Sequence, residues 1–473
     1  MRDGQVSAQQ GFPSPATPVA ASPEGRGDDA LLVGEGAINI LHLSTVGLCG
    51  NAEYTFNLLR GLQHHNVLGD IHPIDRPHLD TLDKDGVKTY FTAYTQAAKA
   101  NYHVAHIQHE FCFFGGRFGP AFSNEVTAMM LDQLHGHPTL VSLHATPSYF
   151  NNPIYGFVTP PHAPHSFPLP SWRKKPLLRL SLLSKAARLR HKHNNPDWQR
   201  YQKECDDKQA PYRVWCQQVS PHFTPKGKAV ALVHNQFTRR DMLAAGAHPD
   251  HVVVLPIGVE ALPTPDDATR QRVSEAVRQT LALQQGDQLI GMAGFVSPNK
   301  GHKTTIQALA VLPPSVKLLI AGGLHPTGNK PLYLNELLAL AHELGVHERV
   351  LITGSYTYEE LAVYLGMMDA VVVGHEPPYS GSSASVSVAL AAGKAVIANN
   401  IPTFAEMNAL LPDTLLLTQP NAPHELAMRL RQLLAVSALR NGYEQRALHY
   451  AATYSWANIA QTHRHLYERL CHA

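Results

Sequence analysis

Short apolar runs alternate with stretches of helical period along most of this chain. Ala37-Ile38-Asn39-Ile40-Leu41-His42-Leu43-Ser44 is one such run. A turn bearing Gly47 and Gly50 follows it, and then Tyr54, Leu58, Leu59 and Leu62 recur at helical spacing. That order reads as strand, turn, helix. The same grammar returns at residues 104–109, 139–144, 230–234 and 252–256. After Gly258 comes a stretch rich in Pro and Asp, and the grammar restarts at 289–294, 317–322, 350–354, 370–373 and 395–398, with helical patterns at 331–344 and 358–365. Strands alternating with helices predict an α/β fold of parallel sheets covered on both faces, and the interruption predicts two of them. Ligands of such sheets sit beyond the carboxyl ends of the strands, so the expected active site is a cleft between two doubly wound, Rossmann-like domains.

Two segments break the pattern. Residues 1–36 hold Pro13, Pro15, Pro18 and Pro23 among small polar residues. Such a composition buries too little apolar surface to offset the entropy of ordering and predicts a disordered tail. Residues 151–225 are Pro-rich at first and then carry a basic stretch, 171–192, whose leucines fall at helical spacing; no acid occurs between Asn151 and Pro196. This reads as an insertion carrying a basic amphipathic helix. The expected organisation is a tail (1–36), a first domain (37–260, insertion about 151–225), a linker (261–285), a second domain (286–455) and a final helix (456–473).

Composition narrows the function classes. Lys plus Arg number 39 against 37 Asp plus Glu, a formal charge of +2. That is too near balance for a nucleic-acid binder working through bulk charge. Five scattered cysteines, Cys49, Cys112, Cys205, Cys216 and Cys471, form no C-x-x-C pair. Neither a disulfide framework nor a zinc site is suggested, and a reducing compartment is expected. No apolar run approaches the roughly 18 residues of a membrane span, and no signal pattern opens the sequence. A cytoplasmic protein, or one peripheral to the inner face of a membrane, is the expectation. Asp206-Asp207 and Asp266-Asp267 are read as solvated loop charge rather than a metal site.

Cys49-Gly50-Asn51-Ala52-Glu53-Tyr54, Gln108-His109-Glu110-Phe111, Gly294 followed by Asn299-Lys300-Gly301, residues 389–394, and Tyr454-Ser455-Trp456 occur in that order. The set resembles the successive signatures of family-4 glycosyltransferases, from Ile38 to the end of the chain. The resemblance implies the GT-B architecture, a last helix crossing back to the first domain, and retaining transfer of a hexosyl unit. The donor would be a nucleoside-diphosphate sugar, with no further cofactor and no metal. The acceptor would be a carbohydrate or lipid-linked hydroxyl in polysaccharide, lipopolysaccharide or other glycoconjugate synthesis.

The same resemblance assigns roles. Gly50 lies near the transferred phosphates or sugar, where a glycine turn lets backbone N–H groups approach an anion. His109 contacts the donor sugar, or alternatively is a core histidine satisfied by a carbonyl; Glu110 orients it or forms a structural ion pair. Lys300, framed by Gly294, Asn299 and Gly301, stabilises the charge developing on the leaving diphosphate, or alternatively is an exposed turn lysine. Many relatives carry two glutamates eight residues apart ahead of the Ala-x-x-x-Gly-Lys helix; Ser380 and Val388 stand there instead. Ser380, Gly381, Ser382 and Ser383 are then expected to give N–H and hydroxyl donors to phosphate, with Glu376 near the sugar. His144 and His234 line the acceptor side or fill the core. The 171–192 helix meets anionic lipid, packs on the domain, or forms an acceptor lid. A nucleotide-sugar epimerase and a non-catalytic binding scaffold are the rival functions on this architecture.

Overall fold

The computed structural model describes residues 37–45, 50–109, 114–144, 214–215, 217–324, 331–376 and 383–472. The first sheet holds β1 (Ile38–Ser44), β2 (Val67–Pro73), β3 (Val104–His109), β4 (Thr139–Leu143), β5 (Ala229–Val233) and β6 (Val252–Val254). These strands run parallel in the order β2-β1-β3-β4-β5-β6. The second holds β7 (Gln288–Ala293), β8 (Val316–Ala321), β9 (Val350–Ile352), β10 (Ala370–Val373), β11 (Val396–Asn399) and β12 (Leu416–Thr418), parallel in the order β12-β11-β10-β7-β8-β9. Each order reverses direction once, between β1 and β3 in one sheet and between β7 and β10 in the other. Those reversals are where a doubly wound sheet opens a crevice.

Period-2 alternation divides each strand between two cores. Leu41, Leu43, Ala105, Ile107, Val141 and Leu143 join one apolar cluster of the first sheet, while Ile40, Val104, Leu140 and Leu232 join the other. In the second sheet Ile290, Leu318, Ile320 and Val372 face one way and Leu289, Leu319, Val371 and Val373 the other. Both sheets are therefore covered on both faces.

The last helix, Trp456–His472, buries Trp456, Ile459, Ala460, His463, Leu466, Tyr467 and Leu470, one stripe of a helical period. That stripe covers the first sheet, not the second, and joins Tyr54, Leu58 and Leu62 of helix Gly50–Leu62 in one cluster. The two helices approach closely at Gly61, where a Cβ would stand 2.7 Å from Ala460 Cβ. The returning chain meets the outgoing one in an isolated parallel bridge: Val259 N–H donates to the Tyr454 carbonyl (2.8 Å) and Trp456 N–H to the Val259 carbonyl (3.3 Å). This is the expected GT-B arrangement with its crossing helix.

Three features differ from the sequence reading. Strands β2 and β12 are additional: β2 is an edge strand broken by Gly69 and ending in Pro73, and β12 has 3 residues, so neither shows a long apolar run. Residues 261–285 are no mere linker; they contain helix Asp267–Thr280, which buries Val273 and Val277. Asp266 is that helix's N-cap, accepting from Thr269 N–H at 2.6 Å, so the Asp266-Asp267 pair is capping charge rather than loop charge. Trp215, Val219 and Phe223, in the last part of the expected insertion, are fully buried in the first sheet's core. The tail 1–36 and the basic stretch 171–192 lie outside the described residues. Among the described residues no helix is long and apolar enough to cross a membrane.

Candidate functional site

The second sheet's crevice is built by three segments. The first leaves β7 through Gly294 (φ +107°) and a short turn, Pro298–Lys300, then enters helix His302–Ala310 through Gly301 (φ +72°). Positive φ at both ends is the reason glycine stands there. The second is Gly374-His375-Glu376 beyond β10, and the third is Ser383, N-cap of helix Ala384–Ala391. The first two segments touch backbone to backbone. Glu376 N–H donates to the Asn299 carbonyl at 2.9 Å, and a Cβ on Gly374 would lie 3.1 Å from the Lys300 carbonyl oxygen.

Lys300 is the cation of this crevice. Its Nζ donates to Ser385 Oγ (3.2 Å), and Ser385 Oγ donates to the Ala293 carbonyl at the end of β7 (2.7 Å). The ammonium lies against the glycine turn: a Cβ on Gly294 would sit 3.1 Å from Nζ and 2.9 Å from Ser385 Oγ. Burial lowers its pKa to about 8, and among the described residues it forms no ion pair. Two buried histidines flank it. His302 places Nδ1 3.3 Å from the Ser297 carbonyl and is lowered to about 4 by burial and then by the Lys300 charge. His375 sets Nε2 2.9 Å from Ser383 Oγ and is held well below the usual imidazole range by the same causes. Both are therefore neutral at pH 7.

Glu376 accepts from Thr304 Oγ1 at 3.3 Å. Burial raises its carboxyl to about 7, against the smaller opposing effects of Thr304 and Lys303. Asn299 accepts from Ser297 Oγ at 2.6 Å, which fixes the turn from within. The result is one partly desolvated ammonium beside the start of a helix, with its neighbours neutral or half-neutral. Chemically that is a receptor for an anion whose charge is best met by a fixed cation and backbone N–H groups.

The sequence-derived residues thus separate into two groups. Gly294, Asn299, Lys300, Gly301, Glu376 and Ser383 converge on the crevice just described. Ser380, Gly381, Ser382 and Glu110 lie outside the described residues. Gly50 opens helix Gly50–Leu62 in the first lobe. His109 ends β3 and is 1% exposed, with its ring beside Phe114 and Trp215 at centroid distances of 5.4 and 5.1 Å; burial lowers it to about 3.

His144 donates its backbone N–H to the His109 carbonyl (3.1 Å), and its ring joins a closed polar network. Its Nε2 is 2.7 Å from the side-chain amide of Gln108, and its Nδ1 is 3.1 Å from His234 Nε2. His234 Nδ1 in turn donates to the Leu255 carbonyl at 2.8 Å. The network continues through His106, whose Nδ1 is 2.8 Å from Tyr467 OH, and through His463, 3.2 Å from Tyr54 OH. His144 and His234 are thus tied into the first lobe by hydrogen bonds to each other, to Gln108 and to the Leu255 carbonyl.

Ser385, Thr304, His302 and His375 carry no signal in the sequence that marks them for the site. Ser385 is one serine among several from 380 to 387, and its role depends on contacts 85 and 92 residues distant.

The lobes also meet away from the crevice. Glu406 of helix Pro402–Leu410 accepts the Gln236 backbone N–H with both carboxylate oxygens (2.7 and 3.0 Å) at the start of helix Gln236–Ala244. Tyr356, following β9, is pushed up to about 12 by burial and then by the charge of Glu53 on the first lobe's opening helix. Among the described residues, no group of three or more His, Cys, Asp or Glu side chains is placed to hold a metal ion.

Residues 273–449 match the family model described as "Glycosyl transferases group 1". A D-inositol 3-phosphate glycosyltransferase of Xylanimonas cellulosilytica is 36% identical over 158 residues, which is 32% of this chain. The match spans 36% of that relative's length, about a third. Among solved structures, Anabaena HepE in complex with UDP-glucose superposes with a TM-score of 0.59 at 16% identity, covering 92% of this chain and 100% of the other. The sucrose-phosphate synthase of Thermosynechococcus elongatus gives 0.60 at 16% identity, covering 92% and 99%. At these identities the structural likeness establishes the fold.

Proposed function

We propose that this chain is a retaining glycosyltransferase of the family-4 type, moving a hexosyl unit from a nucleoside-diphosphate sugar to an acceptor hydroxyl in glycoconjugate synthesis. The observation that carries the reading is Lys300: an ammonium seated against the Gly294 turn, at the reversal point of the second sheet, with no carboxylate paired to it among the described residues. A desolvated cation without a counter-charge costs stability, so its retention is accounted for by an anionic ligand. The group 1 match over 273–449 contains this whole site.

In the transfer, the bond from the sugar's anomeric carbon to the diphosphate oxygen breaks while the acceptor oxygen bonds to the same carbon. The acceptor proton passes to the departing diphosphate. Lys300 and the amides opening helix His302–Ala310 stabilise the charge that develops on that diphosphate, which removes the need for a metal. Glu376, with its carboxyl near 7, meets the sugar without adding a full negative charge beside the phosphates. The first lobe supplies the acceptor side, and closure of the two lobes excludes water from the reacting carbon. Peripheral membrane contact through 171–192 would bring a lipid-linked acceptor to that side.

Incubation with UDP- and GDP-sugars, with and without saccharide or lipid-linked acceptors, tests this reading. Transfer product together with free nucleoside diphosphate supports it. Release of an epimerised sugar nucleotide identifies an epimerase, and binding without turnover identifies a scaffold.

A further inference from the structure

Ser385 occupies an unusual position for a buried serine. It is 7% exposed, sits in the first turn of helix Ala384–Ala391, and reaches back across the crevice to the end of β7. A serine hydroxyl has one proton and two lone pairs. Its proton is committed to the Ala293 carbonyl at 2.7 Å, so towards Lys300 Nζ at 3.2 Å it can only accept. An acceptor there favours the ammonium over the free amine and fixes the direction of one of its three N–H bonds.

We propose that Ser385 is the positioning residue for Lys300, holding the ammonium protonated and aimed at the diphosphate of a nucleoside-diphosphate ligand. The inference rests on the reading of Lys300 given above. Among the described residues, the neighbouring polar groups have other partners or carry no charge of the needed sign. His302, on the helix that follows the turn, and His375, beyond β10, are held neutral by burial and by the Lys300 charge itself. The carboxyl of Glu376 is engaged with Thr304. Ser383 is spent on His375 and on capping Val386 N–H.

The test uses the full chain and two variants, Ser385→Ala and Ser385→Thr, each checked for an unchanged melting profile. One readout needs no nucleotide: the pH dependence of acetylation at Lys300, followed by mass spectrometry. The other is UDP binding by calorimetry at about pH 8. In Ser385→Ala the labelling midpoint should fall by about one pH unit and UDP affinity by about tenfold, with both restored in Ser385→Thr. An unchanged labelling midpoint in a folded Ser385→Ala protein overturns the proposal, as does a folded Ser385→Thr protein that behaves like Ser385→Ala. If the wild-type chain binds no nucleoside diphosphate, the functional reading fails on its own, while the labelling arm still decides whether Ser385 controls the amine.

Discussion

The backbone of Gly301 is packed so tightly on Gly374 that a Cβ at Gly301 would stand 2.3 Å from the Gly374 carbonyl oxygen. This contact joins the turn carrying Lys300 to the segment beyond β10 carrying Glu376, the two walls of the crevice. Gly301 also has φ +72°. Gly301→Ala therefore combines left-handed backbone strain with a backbone clash. We expect a loss of about 2 kcal/mol or more of stability, measured by urea unfolding, together with loss of nucleotide binding. Unchanged stability would show that the two walls are not in contact.

The carboxylate of Glu406 takes the Gln236 N–H with both oxygens and so acts as an N-terminal cap supplied by the opposite lobe. Glu406→Ala should remove about 0.5–2 kcal/mol of local stability. Hydrogen exchange at the first amides of helix Gln236–Ala244 should then accelerate by about tenfold, with helix Pro423–Ala435 unaffected. Equal exchange in the variant and the wild type would mean that the contact does not hold the lobes together.

The histidine network beneath the crossing helix predicts acid lability. Burial lowers His42 to about 3 and His234 and His463 to about 4, and holds His106 and His144 well below the ordinary range. Below the unfolded value near 6.5, the unfolded chain binds protons that the folded chain refuses. Stability is therefore complete above about pH 6.5 and falls as pH drops towards 4. Glu376, raised to about 7, and Glu53 and Glu406, also raised by burial, act in the opposite sense but are fewer than the lowered histidines. Urea midpoints at about pH 7 and about pH 5.5 check this, and equal midpoints would contradict it.

Removal of the crevice's own cation should stabilise the unliganded protein. Lys300→Met replaces a desolvated ammonium by an apolar chain of similar length, and a rise of about 1 kcal/mol in unfolding free energy is expected without nucleotide. A loss of stability would assign Lys300 a structural role instead.

How much of this was legible in the sequence follows from where each residue's partners lie. The inner strands were readable because burial on both faces writes a continuous apolar run, as in Val371-Val372-Val373. The edge strand β2, with Gly69, Asp70 and His72, carries no such run. Lys300 was readable because glycines requiring positive φ flank it locally. Ser385 and His375 were not, since their meaning comes from β7, the turn and the helix cap meeting in space. The same holds for His106, His144 and His234. Their strands were foreseen, but their partners are distant in sequence: His106 meets Tyr467 of the last helix, 361 residues on, and His144 meets His234, 90 residues on.

The central claim is that the Lys300 ammonium grips a diphosphate. Calorimetric titration of the wild type and Lys300→Ala with UDP and GDP at about pH 7 tests it most directly. The account predicts saturable binding of at least one nucleotide by the wild type and a loss of about tenfold to a hundredfold in the variant, the range of a charge-assisted hydrogen bond. Equal affinity in the two proteins would contradict it.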